Sequence, residues 1–151
     1  MTLPATYNLM WRLARPALPF ILNRRAAAGK EDRTRLGERY GRVDGRANLP
    51  DAPVWIHAVS VGESVGAVAL AQALKTRRPD IPLLVTTNTV NAAARIAAQP
   101  GDLGLTHLYQ PLDHPDMVDS FLRHVRPRMA LFLESDFWPN LITRTAGAKV
   151  P

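Results

Sequence analysis

The chain has 151 residues, 46% hydrophobic and 21% charged, with no cysteine and a formal net charge of +6. That length suits one α/β domain with its own core, the composition excludes a disordered chain, and the missing thiols exclude a disulfide framework and thiolate metal or redox chemistry. The charge is uneven: residues 1–50 carry ten Lys and Arg against four Asp and Glu, and the remainder is balanced at nine of each. Positive charge gathered at one end favours an anionic partner, whether nucleic acid, an acidic lipid surface or a phosphorylated substrate.

In chain order, the first informative stretch runs from Leu9 to Leu22, where ten apolar residues surround Arg12 and Arg15 and two prolines, Pro16 and Pro19, interrupt the run. A spanning helix needs about 20 mostly apolar residues, so this pattern reads as an interfacial anchor, with Trp11 and Phe20 at headgroup depth and Arg12, Arg15, Arg24 and Arg25 facing lipid phosphates. The competing expectation is an N-terminal helix packed on its own domain. With no basic stretch ahead of an uninterrupted apolar core, it does not read as a secretory signal. Aromatic residues interleaved with the charges are sparse, which argues against a nucleic-acid partner. A turn-rich segment at 44–53 then divides residues 1–50, a basic and apolar membrane-associating arm, from residues 51–151.

Beyond it, apolar runs alternate with helical stretches. The pattern predicts strands near 54–59, 82–87, 105–109 and 129–134 and helices near 63–77, 90–98, 115–124 and 139–146. Such βαβ repetition implies a Rossmann-like parallel sheet with helices on both faces. The last residues, Ala148 to Pro151, read as the opening of another strand, which suggests a piece of a longer protein.

Two strings stand just past predicted strands. After Val54-Trp55-Ile56 comes His57-Ala58-Val59-Ser60-Val61-Gly62-Glu63, and after Met129 to Leu133 comes Glu134-Ser135-Asp136-Phe137-Trp138-Pro139-Asn140. Both deliver a carboxylate to a strand end, where open α/β sheets place ligands, so Glu63 and Glu134 form a candidate acid/base pair. Gly62 permits a tight strand-to-helix turn, Ser60 and Ser64 can cap the helix that follows, and the helix dipole favours the ionised carboxylate that a base requires. The plain alternative for Glu63 is an ordinary first-turn glutamate, and for Glu134 a buried helix cap, a task that Asp136 suits better. A lone strand histidine such as His57 is more often packed in a core than catalytic. Thr86-Thr87-Asn88-Thr89 reads as a turn and cap, or as a sugar or phosphate contact; Tyr109 to Asp113 reads as a simple strand-to-helix turn. Neither a dinucleotide fingerprint nor a Walker loop follows the first strand.

Taken together, the residues from Trp55 to Glu63 and from Glu134 to Asn140 resemble the N-terminal half of the 3-deoxy-D-manno-octulosonic acid (Kdo) transferases. Arg35 to Gly41, Thr86 to Thr89, Tyr109 to Asp113 and Arg126-Pro127-Arg128 fall in that family's order and spacing. The chain departs from it at Val90-Asn91-Ala92, where Pro-Thr-Gly is usual, and at Ser135-Asp136-Phe137. The resemblance implies an inverting glycosyltransferase of GT-B architecture that moves Kdo from CMP-Kdo to the lipid A precursor of lipopolysaccharide. It implies a place on the cytoplasmic side of the inner membrane, peripheral or monotopic on that anionic surface, with no metal and no cofactor. By position, Glu63 matches the general base and Glu134 a second acidic residue of the active site, while Ser60, Gly62, Thr86, Thr87, Asn88 and Arg39 are implied as acceptor contacts. The CMP-binding half is expected beyond residue 151, so the chain alone is expected to be inactive. The competing readings are another GT-B transferase with a soluble acceptor and a non-catalytic lipid-binding domain.

Overall fold

The computed structural model describes residues 5–43, 49–133 and 137–151. Four strands, β1 (Val54–His57), β2 (Leu83–Thr87), β3 (Leu105–Tyr109) and β4 (Met129–Phe132), form one wholly parallel sheet in the order β3-β2-β1-β4. Helices α1 (Ala5–Ala14), α2 (Leu18–Ala27) and α3 (Leu36–Arg39) precede the sheet. Helices α4 (Val61–Arg77), α5 (Val90–Ala97), α6 (Pro115–Val125) and α7 (Pro139–Gly147) follow the successive strands. The predicted strands and helices are thus present, with boundaries displaced by at most two residues, as at the 54–59 and 129–134 strands. Those two are trimmed to four residues each, and residue 134 lies outside the described residues.

Alternation along the strands divides the core. Val54 and Ile56 of β1 join Leu83 and Val85 against Ala67, Val68 and Ala71 of α4 and Ile96 of α5. Trp55, Leu84 and Leu108 point the other way, against Val118, Phe121, Leu122 and Val125 of α6 and Leu141 of α7. A parallel sheet whose strands are buried on both faces needs such cover, because each pleat sends apolar side chains to both sides. Two buried polar groups are absorbed in this core. The Trp55 indole donates to Thr86 Oγ1 at 2.7 Å, which leaves the hydroxyl proton for His57 Nδ1, also 2.7 Å away. His57 is therefore a packed core residue, and burial pushes its pKa down to about 4; on β3, burial pushes His107, whose Nε2 lies 2.9 Å from Thr87 Oγ1, down to about 3.

The N-terminal helices pack onto this sheet rather than standing apart. Leu18 and Leu22 of α2 are buried. The Tyr7 hydroxyl of α1 donates to Asp113 at 2.7 Å, and Trp11 packs edge-on against His114. Trp11 therefore faces the protein, contrary to its expected place at headgroup depth, because the loop after β3 offers it an aromatic partner. Phe20 does face outward, at 71% exposure, with Leu9, Met10, Leu13 and Ile21. From α3, side chains close the free edge of β3: Glu38 Oε2 accepts the Tyr109 amide at 2.6 Å, and Arg35 donates to the His107 carbonyl at 2.8 Å. The two are bound to each other at 2.7 and 2.9 Å, so an ion pair stands where a further strand would pair. At the opposite edge, Ala130 of β4 donates to the Pro151 carbonyl at 2.8 Å, which lays the last residue beside that strand.

Gly41 fixes how the N-terminal helices return to the sheet. Its φ is +69°, and a Cβ there would collide with the Met117 carbonyl oxygen and come within 3.0 Å of the Phe121 amide nitrogen. A left-handed residue costs about 1–2 kcal/mol, and overpacking adds about 1–3 kcal/mol. Gly41→Ala should therefore lose about 2–5 kcal/mol in urea unfolding, whereas Gly29→Ala, also at φ +69° but with nothing within 4 Å, should lose about 1 kcal/mol. The two buried histidines set an acid response as well. Unfolded imidazoles bind protons near pH 6.5 and the folded ones only near 4 and 3, so stability is complete above pH 6.5 and declines as pH falls through that window. At about 1.4 kcal/mol per unit, His57 accounts for up to about 3 kcal/mol of the decline. The urea midpoint should fall from pH 7 to pH 4 while the His57 ring signal in NMR stays in its neutral form down to about pH 5.

Candidate active site

The strand order reverses between β1 and β4. Connections run outward from β1 through β2 to β3, and the chain then crosses back to the other side of β1. In open parallel sheets the crevice at such a switch point, outside the carboxyl ends of the strands, is the ligand site. The segment bearing Glu63 leaves β1, at the carboxyl end of the sheet beside this crevice. Glu134, with Ser135 and Asp136, lies outside the described residues.

Glu63 occupies the third position of α4 in a reciprocal capping box. The Ser60 amide donates to Glu63 Oε2 at 2.6 Å, the Ser60 hydroxyl also meets that oxygen, and the Glu63 amide returns a bond to Ser60 Oγ at 3.5 Å. This pins the carboxylate at the helix N-terminus by one oxygen and leaves Oε1 for other partners. Ser60 is the cap, as expected, whereas Ser64 donates instead to the Val61 carbonyl inside the first turn. Gly62 does not make the turn through an unusual dihedral: it lies within the helix, and a Cβ there would meet only Ser60 Oγ at 3.7 Å. What it contributes is bare, exposed backbone beside Glu63.

The residues after β2 are spent inward. Thr86 and Thr87 are fully buried, with their hydroxyls bound to Trp55 and His57 in one case and to His107 in the other. Asn88 is half-buried and held by its amide to the Val59 carbonyl at 3.1 Å, and Thr89 beyond it is exposed. Arg39, expected to meet a ligand, is 2% exposed, and its five N–H groups are all committed within the chain. They reach Glu31 at 2.8 and 3.2 Å, Asn88 Oδ1 at 2.7 Å, the Asn88 carbonyl at 2.6 Å and the Gln110 carbonyl at 2.9 Å. With no donor left over, Arg39 builds the site instead of touching what binds there.

A cavity of about 320 Å³ opens between α1, α2 and the ends of β2 and β3. Trp11, Ile21, Leu22 and Trp138 give it apolar walls, and Arg25, Asn88 and Asp113 line it with polar groups. Asp113 is the site-shaping residue that sequence patterning missed. Its carboxylate accepts from Tyr7 and from the amides of Asn140 at 3.0 Å and Leu141 at 2.7 Å, so it caps α7 from another loop and ties α1 to it. Burial raises its pKa above the ordinary carboxylate value, while the donated bonds pull the other way. Tyr7 is raised in turn to about 12, chiefly by burial and then by the bond to Asp113. Only the aspartate's place at a strand exit hinted at this role; a cap made across 27 residues leaves no local pattern.

The family model of the 3-deoxy-D-manno-octulosonic-acid transferases (kdotransferases) matches residues 34–151. Among curated relatives, a 3-deoxy-D-manno-octulosonic acid transferase of Bordetella pertussis is 36% identical across 98% of this chain and 33% of its own length. One of Haemophilus influenzae is 30% identical across 96% of this chain and 34% of its own. A probable mitochondrial 3-deoxy-D-manno-octulosonic acid transferase of Arabidopsis thaliana is 33% identical across 90% of this chain and 30% of its own. The chain thus spans about a third of the length of these relatives. On the strength of the 34–151 match, the chain belongs to the 3-deoxy-D-manno-octulosonic-acid transferase family.

Proposed function

We propose that this chain is the acceptor-binding half of a GT-B glycosyltransferase that transfers Kdo from CMP-Kdo to the lipid A precursor with inversion. The observation that carries this reading is the placement of Glu63: a carboxylate held at a helix N-terminus beside the sheet's switch point, on exposed backbone, in a chain of this family. Its role is general base. As an acceptor hydroxyl approaches, Glu63 takes its proton through Oε1, the oxygen not engaged by Ser60. The resulting oxygen nucleophile attacks the anomeric carbon of Kdo, and the glycosidic bond to CMP breaks with its electron pair leaving on the phosphate oxygen. Glu134, which follows the β4 run in the sequence, is assigned to orient the acceptor. CMP-Kdo is assigned to a donor domain corresponding to the part of the relatives that this chain does not span.

The acceptor is a phosphorylated lipid, and the N-terminal helices suit its surroundings. Leu13 and Phe20 are more than 70% exposed, and Leu9, Met10 and Ile21 accompany them, with Arg12, Arg15, Arg24 and Arg25 at the rim. No helix among the described residues is long and apolar enough to cross a membrane. We assign this face to peripheral docking on the anionic inner membrane at its cytoplasmic side, by shallow apolar insertion and attraction between arginines and phosphates.

Two outcomes test the proposal. Glutamine at the third helical position still accepts from the Ser60 amide, so Glu63→Gln keeps the cap and removes the base. In a chain carrying both halves it should lower kcat for Kdo transfer by about 10²–10⁴-fold with little change in melting temperature. Retained turnover would return Glu63 to a purely capping role. The membrane face is tested by sedimentation with vesicles: the paired Leu13→Asp, Phe20→Asp variant should lose most of its binding to phosphatidylglycerol vesicles, and the unmodified chain should release them as salt rises.

A further inference from the structure

The buried ion pair of Glu31 and Arg39 ends on a single side chain at the mouth of the cavity. Glu31 is 7% and Arg39 2% exposed, and the guanidinium reaches both the side-chain oxygen and the carbonyl of Asn88. Because arginine has donors only, the Asn88 atom 2.7 Å from Nη1 must be the carboxamide oxygen, which settles the orientation of that amide. Its Nδ2 then faces away from the guanidinium, with no partner among the described residues and without being buried, on a residue that lines the cavity.

We propose that Glu31 and Arg39 are positioning residues that fix Asn88 as a one-way hydrogen-bond donor into the strand-end cavity, so that the site selects a ligand presenting an oxygen lone pair there. The assignment rests on the acceptor-binding reading above and adds the polarity of one contact to it. A phosphate oxygen, which only accepts, has the required chemistry, whereas a sugar hydroxyl can also donate and would tolerate either side chain. A free asparagine could rotate its amide to suit a donor or an acceptor; this one is held, because turning it would set its NH₂ against Arg39 Nη1 and leave two donors facing each other in a buried place. Fixing the donor in advance removes the cost of ordering it on binding.

Asn88→Asp is close to isosteric. One carboxylate oxygen keeps the bond to Arg39, and the other replaces the outward donor by a charged acceptor. Binding of lipid A precursor in neutral detergent micelles can be followed by the fluorescence of Trp11 and Trp138, both in the cavity wall. We expect Asn88→Asp to weaken uptake at least about tenfold with an unchanged or higher melting temperature, since a neutral hydrogen bond lost and a repulsion gained together exceed one factor of ten. We expect Arg39→Lys, whose compact ammonium cannot span Glu31, both Asn88 oxygens and the Gln110 carbonyl, to weaken binding and to shift the Asn88 side-chain amide signals in NMR. Binding by Asn88→Asp within twofold of the unmodified chain would overturn the donor role. Arg39 N–H protons exchanging as fast as those of exposed arginines would overturn the positioning role. Slow Arg39 exchange in an unmodified chain that takes up no precursor supports the positioning and overturns the acceptor reading instead.

Discussion

The Glu31–Arg39 pair is the point from which the rest of the arrangement follows. A buried guanidinium is tolerable only if its donors and its charge are both satisfied, and breaking such a pair from one side costs about 3–5 kcal/mol. Here the charge is met by Glu31, also bound by Arg25 at 2.9 Å, and of the remaining donors one meets the Asn88 side chain and two fall on backbone carbonyls at the exits of β2 and β3. Those carbonyls have left the sheet ladder and would otherwise need water. One side chain from the N-terminal segment thus completes the hydrogen bonding of two strand ends, and the packing of α2 is coupled to the shape of the cavity mouth.

A second tie works in parallel. Asp113 receives the Tyr7 hydroxyl and two amides of α7, so α1 and α7 share one carboxylate. Together the two acids hold the N-terminal helices over the carboxyl edge of the sheet while their outer surface keeps its large apolar side chains exposed. The apolar, arginine-rich outer face is therefore carried on helices tied to the sheet at two buried carboxylates.

The alternation of strands and helices was legible because it rests on local periodicity: Val54 to His57 and Leu83 to Thr87 are short apolar runs between turn residues, and α6 carries its apolar stripe at helical spacing. Ser60 and Glu63 were legible because a capping box spans three residues. Arg39 was noticed for the motif around it, but its role was not, since its partners at 31, 88 and 110 meet only in three dimensions. Asp113 passed as a turn residue for the same reason. Trp11 misled because an indole in a basic, apolar stretch looks alike whether it faces lipid or an imidazole 103 residues away. Local signals therefore recovered the scaffold, while the polar side chains that shape the site depend on which strand ends lie side by side.

The cap treats the two oxygens of Glu63 differently. Oε2 accepts from the Ser60 amide, which fixes the direction of the carboxylate, and Oε1 has no hydrogen-bond partner among the described residues. One residue thus caps α4 and keeps a second carboxylate oxygen unengaged just past β1, and the arrangement follows from the three-residue spacing of Ser60 and Glu63 that the sequence itself carries.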